Sequence, residues 1–95
     1  MNYIDQRAHD IHIAVTGSYA PDSMLDLYRH YAVLSFSKGV DVTRRDVHDA
    51  WAAWTSRVNW EHRSLVPFDE LELAVQELDQ PYVDAIRKVS THGTR

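Results

Sequence analysis

Between Met24 and Lys38 the chain is apolar on almost every side of a helix. Leu25, Leu27, Tyr28, Tyr31, Ala32, Val33, Leu34 and Phe36 crowd this stretch, and only Asp26, Arg29, His30 and Ser37 form a polar strip. A helix with so little polar surface is stable only when other elements surround it. Met24–Lys38 is therefore expected to be the central helix, with Asp22 or Ser23 as its cap and Gly39 as its stop.

The neighbours show the same periodicity. Ile4, Ala8, Ile11 and Val15 place one apolar stripe on a helix over 3–16, which Gly17 ends. A third helix starts at Thr43, where Asp46 three residues on resembles a capping box. Val47, Ala50, Trp51, Trp54 and Val58 line its inner face, and it ends near Val58–Asn59. Residues 60–67 read as irregular, with brief strand pairing open to Ser64–Val66, and Phe68–Leu71 as a turn. A short helix follows over Leu73–Leu78. Asp79 then caps a last helix carrying Pro81 in its first turn, where a missing N–H costs nothing. Tyr82, Ala85, Ile86 and Val89 face inward, and Arg87 and Lys88 sit toward the C-terminal end, where the helix dipole favours positive charge. The fold class is all-α, a compact bundle of four to five helices.

The 95 residues make one domain with a thin core, which self-association would help. There is no cysteine, hence no disulfide and no thiolate nucleophile, which suits a reducing compartment. No apolar run approaches the ~20 residues of a membrane span. The first fifteen residues mix acids and histidines with apolar residues and do not read as a signal peptide. The cytoplasm is expected, a host's if a phage encodes the chain. A net charge of −4 argues against general nucleic-acid binding, which needs clustered lysine and arginine.

Two pieces of sequence carry the strongest motif: VHDAWAAW, residues 47–54, and HRSLVPFDEL, residues 62–71, followed by VQELDQPYVDAIRKV. Together they resemble the ryanodine-receptor-type repeat in its small bacterial and phage form. His48 and Trp51 match its His-x-x-Trp. His62, Leu65, Val66, Pro67, Phe68, Asp69, Glu70 and Leu71 match its second element, and Asp79 its third. The resemblance covers residues 47–89, with Arg63 where the family often has proline and a shortened loop before His62. The whole chain is also similar to small proteins of actinobacteria and their phages. The resemblance implies a ligand-sensing or partner-binding module rather than an enzyme.

The residues point the same way. Trp54, Trp60, His62 and Arg63, supported by His48 and Trp51, are expected to gather near the end of the third helix. Aromatic faces with a histidine and an arginine make a cradle for a base plus a phosphate. In the alternative, Trp51 and Trp54 are core residues and the histidines bond to backbone. Arg44 and Arg45 lie in the helix's first turn, where free N–H groups attract anions. They are about 15 Å from Trp54 at ~1.5 Å per residue, too far for one small ligand. Asp5, His9 and His12 share a helix face at metal-ligand spacing. With no fourth ligand evident, a solvated surface is expected there and no metal. Asp69 and Glu70 with His62 could do acid–base work. The plainer expectation is capping by Asp69 and pairing with Arg63. Ser35, Ser37 and Ser64 sit in no nucleophile motif, and no cofactor is implied. In a second functional reading, Leu65, Val66, Phe68, Leu71 and the last helix form a protein or homo-oligomer interface without a small ligand.

Overall fold

The computed structural model describes residues 1–92. Helix α1, Tyr3–Thr16, starts where the Asn2 side chain accepts from the Asp5 N–H at 2.8 Å. It stops at Gly17, whose φ of 90° lies in the left-handed region that favours glycine.

Helix α2 spans Asp22–Ser37 and begins two residues before the expected start. Neither Asp22 nor Ser23 is its cap. Pro21 holds that position in an extended conformation, and its carbonyl accepts from the Met24 and Leu25 N–H groups. The proline already fixes the entry direction, so the helix forms without a capping side chain. After α2 the chain turns through a 3-10 segment, Gly39–Asp41, that Gly39 enters at φ 58°.

Helix α3, Arg44–Val58, carries the full capping box. Thr43 accepts from the Asp46 N–H at 3.2 Å, and the Asp46 carboxylate accepts from the Thr43 N–H at 2.9 Å. The chain beyond it runs through a second 3-10 turn, Phe68–Glu70, into a short α4, Leu73–Glu77, and then α5, Gln80–His92. Ser64–Val66 pairs with no strand. Its backbone is held from the side instead, because His48 Nε2 meets the Val66 carbonyl at 2.7 Å. Among the described residues there are helices and turns and no strand, so the all-α bundle is what the chain forms.

α2 lies at the centre, packed against α1, α3 and α5, and α1 also meets α5. Tyr31, Ile11, Ile86, Val47 and Val83 are fully buried from these four helices. They are joined by Val42 from the connection before α3, which hooks into the core while its carbonyl accepts from Arg87 at 2.8 Å. A polar seam crosses the same interior. The Arg7 guanidinium donates to Ser35 Oγ at 2.5 Å, and Ser35 Oγ meets Ser90 Oγ at 2.7 Å, tying α1, α2 and α5 together. No described helix is long and apolar enough to cross a membrane.

Candidate functional site

His48, Trp51 and Trp54 succeed one another at three-residue spacing on α3, so they share one face. That face borders a half-open cleft of about 470 Å³. Leu27 and Tyr31 of α2 form its depth, and Tyr82 of α5 stands beside Tyr31 with ring centroids 5.6 Å apart. Leu71, Val75 and Leu78 supply an apolar rim around α4, and His62 and Ser64 border it from the segment after α3.

The histidines are fixed by their surroundings. His48 is buried, its Nε2 engaged with Val66 and its ring stacked on Trp51 at 5.6 Å. His62 meets Trp51 edge to face at 5.0 Å, and its Nδ1 accepts from the Ser64 N–H at 3.0 Å. Both histidines thus bond to backbone, and both also border the cleft. The two expectations, core residues and cleft residues, describe the same side chains.

Of the residues expected in the cradle, His48, Trp51, Trp54 and His62 come together. Trp60 and Arg63 do not line the cleft. Trp60 is 75% exposed and Arg63 is exposed beside His62. Leu65, Val66 and Phe68 are half-buried in the same segment, and Leu71 turns into the cleft. Phe68 lies under the Arg45 guanidinium at 5.3 Å.

Asp79 and the two tyrosines are the members that the sequence did not single out as site residues. Asp79 sits just ahead of α5, and its backbone carbonyl accepts from Tyr82 and Val83. Its carboxyl does not cap the helix. It borders the cleft, and among the described residues no donor hydrogen-bonds to it. Half-burial pushes the Asp79 pKa above the ordinary carboxyl range, against the pull of His48 and Arg44. The Tyr31 hydroxyl stays neutral, since burial drives its pKa upward, and burial likewise pushes its neighbour Tyr28 up to about 12. The legible signal was an acid two residues before a proline and three before an aromatic, just ahead of a helix whose inward positions are mostly apolar.

Two further expectations are corrected. Asp69 pairs with Arg45 at 2.6 Å rather than with Arg63, and it caps nothing: Pro67 precedes the 3-10 turn without a side-chain cap. Arg45, in the first turn of α3, stands within reach of the Phe68–Glu70 turn, whereas Arg63 projects outward. The Asp5, His9 and His12 face is not solvated either. His9 and His12 are each 8% exposed. His9 accepts from the Ala20 N–H at 3.0 Å and stacks on Tyr19. His12 Nδ1 meets the Ser18 carbonyl at 2.6 Å and its ring abuts Tyr28. The loop after α1 folds back over that face and buries it. Asp5 goes to Arg29 instead, at 2.7 Å. Among the described residues no group of His, Asp and Glu could hold a metal ion.

Arg44, Arg45 and Arg87 line a separate crevice at the other end of α3. Arg44 donates to Gln80 at 2.7 Å there.

The model of one family, described as a domain of unknown function (DUF7701), matches residues 2–91, and the chain belongs to that family. No curated protein and no solved structure matches the chain.

Proposed function

We propose that this DUF7701 member is a small, non-catalytic binding module that takes a planar, nucleobase-like ligand between the α3 tryptophans and the tyrosines of α2 and α5. One observation carries the reading: His48, Trp51, Trp54 and Tyr82 line a half-open space of about 470 Å³ with Tyr31 at its depth. Stacking on such walls contributes about 1–3 kcal/mol per base. Arg63, exposed beside His62, would meet a phosphate from outside the cleft. The module would work in the cytoplasm, a host's where a phage encodes it, as a signalling or counter-defence factor. Its relation to the ryanodine-receptor-type repeat belongs to the same proposal and rests on the motif over 47–89.

Thermal-shift measurements with nucleosides and nucleotides test this, because a ligand that binds only the folded chain raises Tm. Adenosine or guanosine should raise it, Trp54→Leu should remove the effect, and Trp60→Leu should leave it intact. A flat response to every nucleobase-bearing probe overturns the reading, provided circular dichroism shows the protein folded.

A second reading, a protein or homo-oligomer interface, is favoured by the apolar side chains around the same region. Trp60, Leu73 and Leu78 are 75%, 74% and 66% exposed. Light scattering that shows a dimer, combined with no ligand response, would select it.

A further inference from the structure

We infer that the α3–α5 cleft favours positive charge: among ring ligands of one shape it prefers the one whose ring bears or adjoins a protonated nitrogen, seated against Asp79. This rests on the cleft reading above and adds the charge of the ligand to it.

The lining itself makes the argument. Asp79 is the only carboxylate bordering the cleft, and neither lysine nor arginine borders it, among the described residues. The Asp79 carboxyl accepts no hydrogen bond there from any described residue. A half-buried carboxylate without a donor is costly, and a ligand N–H would relieve that cost. The nearest cationic groups are already occupied and stand elsewhere. Arg44 donates to Gln80 and lines the separate crevice, and His48 Nε2 is engaged with the Val66 carbonyl. They offset part of the carboxylate's charge without covering it.

The rest of the wall is what a cation needs. Trp51, Trp54 and Tyr82 line the space and Tyr31 lies at its depth, and the face of an aromatic ring attracts positive charge, most strongly for tryptophan. An anion meets the opposite conditions: a carboxylate, four electron-rich rings and no guanidinium. A phosphate therefore stays at the mouth, and the buried part of any nucleotide-like ligand is a donor-bearing base.

Matched indoles separate charge from shape. Tryptamine, indole-3-propionamide and indole-3-propionate share a ring and differ in charge. They are titrated into ¹⁵N-labelled protein while the indole N–H signals are followed. The Trp51 and Trp54 signals should move with tryptamine and the Trp60 signal should stay, with tryptamine at least about tenfold tighter than the propionate. Asp79→Asn, which keeps the shape, should shrink that preference to about twofold. Equal binding of all three, or a preference untouched by Asp79→Asn, overturns the charge selection and leaves the cleft reading standing. If none of the three moves Trp51 or Trp54, the charge selection is overturned, and the cleft reading stands or falls with the nucleoside Tm response.

Discussion

Two aspartates respond to folding in opposite senses, and each sense follows from its neighbours. The hydrogen bond from Arg29 holds the Asp5 carboxyl below its ordinary range, and the charge of Arg29 adds to it. Burial raises Asp79. For Asp5 the folded state releases its proton more readily than the unfolded one. The stability it contributes is therefore present above the ordinary carboxyl range near pH ~3.9 and is lost as pH falls through the lower folded value. For Asp79 the folded state holds its proton longer. Its contribution is most favourable below that ordinary range and is lost as pH rises through the higher folded value. Asp79→Asn should accordingly raise Tm by a few degrees at neutral pH, and Asp5→Asn should lower it. Both differences should shrink toward about pH 3 in melting curves taken across the pH range. A change of the same sign for both variants at neutral pH would contradict this account.

At the scale of elements, the segment between α3 and α4 has no regular structure, and side chains locate it. His48 grips Val66, Arg45 grips Asp69, and the Gln76 amide donates to the Phe68 and Leu71 carbonyls at 3.1 Å. The first two of these contacts depend on α3 being in register, and its first turn is set by Thr43 and Asp46. Thr43→Ala should cost about 0.5–2 kcal/mol, read as a lower denaturation midpoint with an unchanged slope. Local rules made this box visible in the sequence, as they did Gly17 and the helix over 3–16. They could not place the 62–71 contacts, because Arg45 and Asp69 are separated by 24 residues and meet only once the chain has folded. The same limit explains the cleft. Trp51 and Trp54 announce themselves by spacing on one helix, whereas Tyr31, Asp79 and Tyr82 reach it from other elements. The His9 and His12 face misled for a related reason: helical spacing marked it as polar, and the loop that buries it lies outside the helix.

Across the whole molecule, one interior serves all four long helices, so damage to it cannot stay local. Ile86 is fully buried at their junction. Ile86→Ala removes that packing and leaves a void, at an expected cost of about 2–5 kcal/mol. In a thin core this is a large share of the total, so the variant should be substantially unfolded at 37 °C by circular dichroism. A loss below about 1 kcal/mol would mean that the core rearranges around the gap.

The seam from Arg7 through Ser35 to Ser90 has a consequence for biosynthesis. Its hydroxyl pair joins positions 55 apart, and Val83, Ile86 and Val89 fill the space that α1 and α2 leave open. A nascent chain leaving the ribosome can wind its early helices at once, yet it has nothing to close around until α5 has emerged. Until then the apolar sides of α2 stay in water, and the waiting chain is open to aggregation.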